Sequence, residues 1–419
     1  MPHPSSNTPQ GNGHARRVVM VAGEASGDLH GGALAAALRQ RAPWISIVGF
    51  GGAAMRRAGV DVRFDIAPMG VVGLIEVLAQ WKTIRAAWRR AVALLAEDVH
   101  LLILIDYPDF NLRLAKVAKR RGIAVVYYVS PQVWAWRAGR VQVIAKRVDL
   151  MLVIFPFEKA IYDAASVPCV FVGHPLMDQV RAPSYASKHA YLKSLGLNPS
   201  GTTLALLPGS RKQEVAVLLP RMLAAAGQVA KETPALPPLQ CLIPVAPSLS
   251  KEGMASWGAA SPIPVAFVGG DPTNATATGR PLEGAGTADN GIYDVLGAAD
   301  VAVVASGTAT LQTALAGVPM IVVYKLSWLT WALARLLIRV RSVGLVNIVA
   351  GTPCVPELIQ MEASPARIGA EIKRLLLDAD ARAVMQRRLK DVATALGEAG
   401  TAHRAADAIL KRFPMGNAA

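Results

Sequence analysis

Asp106 closes an unbroken apolar run, Leu101–Ile105 (LLILI), and is followed by Tyr107, Pro108 and a second carboxylate, Asp109. A short run of that composition reads as a strand buried on both faces. A carboxylate at its C-terminal end stands where open α/β sheets place their ligands. Such a group can take a proton as a general base. Pro108 forces a turn, and Asp109 reads as the cap of the helix that follows. A second constellation, LALLPGSRKQE (204–214), runs strand, glycine turn, arginine, helix. The backbone N–H groups of Gly209 and Ser210, with the Arg211 guanidinium, make a clamp for a diphosphate. VVASGTATLQTALAGVP (303–319) repeats that order with Ser306, Gly307 and Thr308 in the turn. Its N–H groups suit a second phosphate, and Gln312, about one turn into the helix, reaches a ribose hydroxyl.

GEASGD (23–28) follows the first apolar run and opens a helix. It is neither the dinucleotide fingerprint nor a P-loop. Glu24 and Asp28 would repel a phosphate, so with Ser26 the turn suits sugar hydroxyls. YYVSPQVWAWRAGR (127–140) carries Trp134, Trp136, Arg137 and Arg140. Trp136 and Arg137 suit sugar stacking and phosphate contact. Trp134 suits that role or plain packing. Of the 7 histidines, His30 and His174 fall in motifs, and His174 reads as structural. Asp378-Ala379-Asp380 has the spacing of a metal-binding DxD, but its charged helical surroundings make it solvated surface. No metal site is expected.

These residues need strands to present them. Apolar runs at Val18–Ala22, Ile45–Val48, Leu101–Ile105, Val125–Val129 and Leu150–Ile154 alternate with helical stretches such as Leu29–Gln40 and Asn111–Arg121. The alternation predicts a mostly parallel sheet covered on both faces. At 173–188 (GHPLMDQVRAPSYASK) the pattern breaks as in a linker. It resumes at Thr203–Leu207, Leu239–Pro244, Val265–Val268, Val301–Val304 and Met320–Tyr324, with helices at Gln213–Lys231, Ile292–Ala298 and Thr308–Ala316. The expected division is a disordered tail (1–15), two doubly wound Rossmann-like α/β domains (16–180 and 181–363) and a helical C-terminal tail (364–419). Residues 269–291, poor in hydrophobics, read as a mobile insertion.

Of the 419 residues, 53% are hydrophobic and 17% charged, which excludes a mostly disordered chain. The 3 cysteines lie far apart and build neither a disulfide framework nor a zinc ribbon. The apolar runs are strand-length, too short to cross a bilayer. The polar N-terminus lacks a signal peptide's apolar core, so the chain reads as cytoplasmic. The formal charge of +15 points to an anionic partner. Residues Met69–Arg90, taken as a helix, gather Leu74, Val77, Trp81, Ile84 and Trp88 on one side, bordered by Lys82, Arg85 and Arg89. That pattern fits a helix lying in an anionic headgroup layer, or an ordinary packed helix. Trp328–Arg341 has the same chemistry.

GEASGD (23–28), IDYPDFN (105–111), YYVSPQVWAWR (127–137), PFEK (156–159), VGHPL (172–176), LLPGSR (206–211) and ASGTAT (305–310) together resemble the lipid-A-disaccharide synthase family, in family order over most of the chain. The resemblance implies a GT-B fold, two Rossmann-like domains facing a cleft. It implies inverting transfer of 2,3-diacylglucosamine from UDP to the 6-hydroxyl of 2,3-diacylglucosamine 1-phosphate (lipid X), without metal or other cofactor. It places the enzyme at the cytoplasmic face of a Gram-negative inner membrane. The partners implied are UDP-2,3-diacylglucosamine, lipid X, the anionic membrane surface and, as one option, a second copy of the chain. No nucleic acid is among them. The family's essential aspartate falls on Asp106 and its essential arginine on Arg211. Asn347, in GLVNIVAG, falls on a nucleotide-contacting position. Gln312 departs from the Glu that many GT-B enzymes carry there.

Two other classes fit less of the chain. A nucleic-acid-binding regulator would use the basic charge, but no recognition signature occurs. A different GT-B enzyme, a UDP-sugar epimerase or a cell-wall glycosyltransferase, would show no dependence on acyl chains.

Overall fold

The computed structural model describes residues 16–66, 81–136, 139–246, 249, 251–269, 291–326, 331 and 342–416. Leu74, Val77, Arg137, the tail 1–15, nearly all of the insertion, and Trp328–Arg341 apart from Trp331 lie outside them. The chain forms two compact units, Met1–Pro175 with Glu398–Ala419, and Leu176–Gly397.

The first unit is built on seven parallel strands: β1 (Arg17–Ala22), β2 (Ser46–Gly51), β3 (Asp61–Asp65), β4 (Leu101–Ile105), β5 (Ala124–Tyr128), β6 (Leu150–Val153) and β7 (Cys169–Phe171). Their order is β3-β2-β1-β4-β5-β6-β7. β4 is buried at every position, and β1 and β5 at all but their first residue, as helices on both faces demand. β1 and β4 pair in register up to Ala22 and Ile105. The winding reverses between these two strands, so the helices that follow them leave in opposite directions and open a crevice there.

The second unit repeats the design with six parallel strands: β8 (Thr202–Leu207), β9 (Leu239–Val245), β10 (Val265–Gly269), β11 (Val301–Ala305), β12 (Met320–Tyr324) and β13 (Glu357–Ile359). The order is β10-β9-β8-β11-β12-β13, and the reversal falls between β8 and β11. Leu207 pairs with Val304, so LPGSR and ASGT emerge side by side.

The chain divides inside the linker, between Pro175 and Leu176. Arg181 holds Asp294 with two bonds of 3.0 Å, and the Ser184 N–H donates to the same carboxylate at 2.6 Å, which anchors the end of the linker on the second unit. The helical tail is not a unit of its own. Pro365–Leu377 and Ala379–Ala395 pack on the second unit, whereas Thr401–Arg412 returns to the first and lies along the helix Ala25–Arg41. There Arg404 donates to the carbonyls of Val172 (2.9 Å), Ala399 (2.7 Å) and Glu398. Asp378 of the DxD sequence caps the helix Ala379–Ala395, accepting from the Ala381 N–H at 2.8 Å. No helix among the described residues is long and apolar enough to cross a membrane.

Candidate functional site

In the first unit the residues at the winding reversal follow directly from β1 and β4. Gly23 leaves β1 with no side chain because the Tyr107 ring occupies that space. A Cβ on Gly23 would lie 2.2 Å from the Tyr107 Cγ. Asp106 and Tyr107 both have φ of 47°, the left-handed region that L-residues rarely enter. The Asp106 N–H still donates to the Tyr128 carbonyl (3.0 Å), continuing the β5 ladder by one residue. Burial pushes the Asp106 carboxyl up to about 6, the negative charge of Glu24 adds to the rise, and a hydrogen bond from the Tyr107 backbone opposes it. A base of that strength is ionised at neutral pH yet holds a proton well enough to accept one. Burial and the charges of Glu24 and Asp109 also raise the Tyr107 phenol.

The other residues of these motifs divide into open and engaged. Glu24 precedes the helix Ala25–Arg41 without capping it, and Ser26 is exposed in its first turn. Asp28 is engaged. Its carboxylate accepts from the N–H groups of Gly52 (2.6 Å), Ala54 (2.9 Å) and Met55 (3.1 Å), closing the N-terminus of the helix Ala53–Arg57. It braces two helices rather than offering free oxygens to a sugar. Asp109 is not the cap expected of it. Tyr107 holds the N-cap position of Pro108–Arg120, and Asp109, in the first turn, pairs with Arg140. Arg140 also lies 5.4 Å from the Trp136 ring centroid. Trp136 is 40% exposed.

Trp134 turns inward. Its ring edge meets Phe157, and its Nε1 donates to Glu158 at 3.2 Å. Glu158, only 1% exposed, also accepts from the Phe155 N–H (3.3 Å). Burial drives its carboxyl up to about 7, against the pull of the Phe155 N–H, Trp134 and Ser130. His30 and His174 are both held neutral, pushed down to about 4 by burial, with His30 adding to the effect on His174.

The described part of the basic segment is the helix Trp81–Leu94. Lys82, Arg85, Arg89 and Arg90 are exposed, and Ala87 and Ala91 face the core. Ile84 is half-buried. Trp88 is half-buried too, edge-on to Phe110 at 5.6 Å, so at this end the apolar side meets the protein.

The second unit presents backbone rather than carboxylates. Gly209 has φ of 108°, and a Cβ there would lie 2.6 Å from the Glu214 Oε2. Ser210 is exposed, and Arg211 stands at the N-cap of Lys212–Glu232 with its side chain 73% exposed and 3.6 Å from Glu214. Tyr324, at the end of β12, joins this group. Burial and Glu214 raise its phenol, and Arg211 opposes them. Gly307, with φ of 143°, is the N-cap of Thr308–Leu315, and nothing lies within 4 Å of where its Cβ would be. Neither helix has a side-chain cap, so first-turn N–H groups at both ends of the pair suit an anion. The Ser306 hydroxyl donates to the Val343 carbonyl (2.7 Å), Thr308 is exposed, and Gln312 is half-buried in the same helix.

Asn347 takes a different place from the one its motif implied. At 2% exposure, its Nδ2 donates to Val355 O (3.0 Å) and Glu357 Oε1 (2.8 Å). Its Oδ1 accepts from the N–H groups of Cys354 (2.8 Å) and Val355 (3.0 Å). All four positions of the amide are used, so its side chain braces the segment that Ser306 touches. Glu357 completes that brace with the N–H groups of Val343 (2.9 Å) and Gly344 (3.0 Å). Sequence reasoning singled out neither Glu357 nor Glu158, and the PFEK motif was the one signal for the latter. Among the described residues no group of three or more His, Cys, Asp or Glu could hold a metal ion.

A profile of the lipid-A-disaccharide synthetase family matches residues 18–256 and 284–411. The lipid-A-disaccharide synthase of Syntrophus aciditrophicus (strain SB) is 47% identical over 396 residues, 94% of this chain and 97% of that protein. A putative UDP-N-acetylglucosamine 2-epimerase from Listeria monocytogenes superposes with a TM-score of 0.61 at 12% identity, covering 96% of this chain and 98% of that one. CalG4, the calicheamicin glycosyltransferase, superposes with a TM-score of 0.55 at 16% identity over 96% of this chain and 98% of its own. At such identities the two structures speak for the fold, which is of the GT-B type.

Glu158 makes the stability of the first unit depend on pH. Its ordinary value is 4.5 and its value in the fold is about 7. Between them the folded chain holds a proton that the unfolded chain has lost. The penalty for burying Glu158 is therefore absent below pH 4.5, grows as pH rises, and levels off above 7 at about 3 kcal/mol. Relative to wild type, Glu158→Gln should fare better at pH 8 than at pH 4.5 by about that amount. Urea unfolding at the two values checks it, and an unchanged gap would refute it.

Proposed function

We propose the reaction from a premise: the chain belongs to the lipid-A-disaccharide synthetase family and is a glycosyltransferase. The donor is UDP-2,3-diacylglucosamine and the acceptor 2,3-diacylglucosamine 1-phosphate. The acceptor's 6-hydroxyl oxygen attacks the anomeric carbon. The bond from that carbon to the diphosphate oxygen breaks, and its electron pair leaves with UDP. A single displacement inverts the anomeric centre and gives the β(1→6) disaccharide 1-phosphate.

The observation that carries this reading is the Asp106 carboxylate at the end of β4, raised to about 6 by burial beside Glu24. In the reading it takes the proton of the attacking hydroxyl. The second unit takes the nucleotide. Arg211 and the N–H groups at Gly209–Ser210 and Gly307–Thr308 meet the charge that grows on the leaving diphosphate. Trp136, Glu24 and Ser26 offer a stacking face and hydrogen-bonding groups to sugar.

Both substrates carry acyl chains, so the enzyme works at a membrane surface, here the anionic inner face of a Gram-negative inner membrane. Lys82, Arg85, Arg89 and Arg90 are exposed on one helix. Arg113, Lys116 and Arg120 are exposed on the neighbouring helix Pro108–Arg120. None of the seven has an ion-pair partner among the described residues. Such a face is attracted to anionic headgroups, at about 1 kcal/mol per cation near the surface. Leu74, Val77 and Trp81 are the side chains proposed to enter the layer.

Asp106→Asn should lose about 10²- to 10⁴-fold in turnover while UDP binding, measured by calorimetry, stays as in wild type. Near-normal turnover would remove Asp106 from the role of base. Arg211→Lys should also be poor, because a point charge cannot reproduce the guanidinium fork. A Lys variant with wild-type kcat/KM would overturn the clamp. Replacing Lys82, Arg85 and Arg89 together with Gln should weaken binding to phosphatidylglycerol vesicles at low salt and leave the melting temperature in place. Unchanged vesicle co-sedimentation would move the contact elsewhere.

A further inference from the structure

We propose that Tyr127 is a positioning residue for the Asp106 carboxylate, its hydroxyl and the Asn111 amide holding between them the left-handed turn on which Asp106 sits. The proposal rests on the reading of Asp106 as the base.

Tyr127 and Tyr128 end β5, a strand covered on both faces, and successive side chains there point to opposite faces. Tyr127 is fully buried. Phenylalanine would fill the same space, so what the hydroxyl adds is its bond. That bond goes to the backbone carbonyl of Asp106, at 2.5 Å. The same carbonyl accepts from the Asn111 Nδ2 at 2.7 Å, and Nδ2 also donates to the Ile105 carbonyl at 3.1 Å. Asn111 is fully buried as well, and its backbone N–H closes the turn on the Tyr107 carbonyl at 3.0 Å.

Asp106 and Tyr107 are consecutive residues with φ of 47°, and neither is a glycine. The conformation persists only where the surroundings over-determine it. Here they do. Turning the Asp106–Tyr107 peptide to an ordinary conformation would swing the Asp106 carbonyl away, leaving the Tyr127 hydroxyl without its acceptor and the Asn111 amide with Ile105 alone, a costly state for buried donors. The backbone angles at Asp106 set the direction of its Cα–Cβ bond, so these donors also fix where the carboxylate points. The charged and titratable groups around it are Glu24 from the start of the first helix, Tyr107 beside it in the chain and Tyr127 from β5, with Tyr162, Arg140 and Asp109 acting on Tyr127. With the turn loosened, the carboxylate moves toward water, and its affinity for a proton falls toward the ordinary carboxylate range.

The test compares wild type, Tyr127→Phe, Asn111→Ser and Asp106→Asn on UDP-2,3-diacylglucosamine and lipid X across pH 4.5–9. Tyr127→Phe should lower kcat about 10- to 100-fold, as for a displaced catalytic group, with KM within about twofold. The acid limb of its kcat/KM profile should move from near 6 to lower pH. UDP affinity should stay unchanged. Asn111→Ser carries the same expectation independently and decides the matter if Tyr127→Phe does not fold. If Asp106→Asn is inactive while Tyr127→Phe keeps wild-type kcat and acid limb, the positioning role falls and the base stands. A fall in kcat with an unmoved acid limb marks a merely structural hydroxyl and overturns the proposal. An active Asp106→Asn removes the base, and this inference with it.

Discussion

A strand covered on both faces has no place for a polar side chain except at its ends, and this constraint organises the whole protein. β4 is buried from Leu101 to Ile105 and β11 from Val301 to Ala305. The next residues, Asp106 and Ser306, are the first that can meet a ligand. Parallel pairing sends every strand of a sheet the same way, so all such ends gather on one side. The order of the strands then selects among them. Only where the winding reverses, between β1 and β4 and between β8 and β11, do the helices that follow diverge and leave room. GEASGD and IDYPDFN meet at the first reversal, LLPGSR and ASGTAT at the second. Motifs more than seventy residues apart in sequence become neighbours for that reason alone.

The same constraint explains what could be read from the sequence. Among the inner strands, β4, β5, β11 and β12 are continuous apolar runs, β1 is one after Arg17, β8 after Thr203 and β9 from Cys241, and each lies where its run predicts. β3, β7 and β13 gave no such signal. They are edge strands, of five, three and three residues, and half-exposed along most of their length, so no apolar run announces them. The tail reads as one helical segment because its helices share charge and period. That its last helix belongs with the first unit rests on contacts far apart in sequence, Arg404 to the Val172 carbonyl, Arg41 to Asp407 and the Trp44 Nε1 to the Met415 carbonyl, which no local pattern announces.

The candidate site residues are legible by type and position, and what holds them is illegible where the partners are distant. Asp106 and Arg211 follow from a strand end and a turn. Asp28 and Asn347 have the same look in sequence, yet both are consumed by backbone N–H groups of later residues, 52 to 55 in one case and 354 to 355 in the other. A polar side chain in a motif is free to bind only if no such donor reaches it first, and a buried donor left unpaired is costly enough that the fold uses the nearest acceptor. The motifs therefore mix groups left open with groups already engaged in holding the fold.

The two units solve one backbone problem in different ways. Each needs a sharp turn between strand and helix, and each uses positive φ to make it. The second unit does so with Gly209 and Gly307, which enter that region without strain and leave the backbone N–H groups open to an anion. A glycine has no side chain to present, so a strand end that carries a carboxylate cannot use that solution. Asp106 must occupy the left-handed region as an L-residue, with Tyr107 beside it. That choice demands support from elsewhere, and Tyr127 and Asn111 supply it through one carbonyl, while Gly23 makes room for the Tyr107 ring. Backbone recognition of phosphate thus needs glycine and little else, whereas an aimed carboxylate needs a buried shell of hydrogen bonds behind it. The polar residues buried around β4 and β5 follow from that difference.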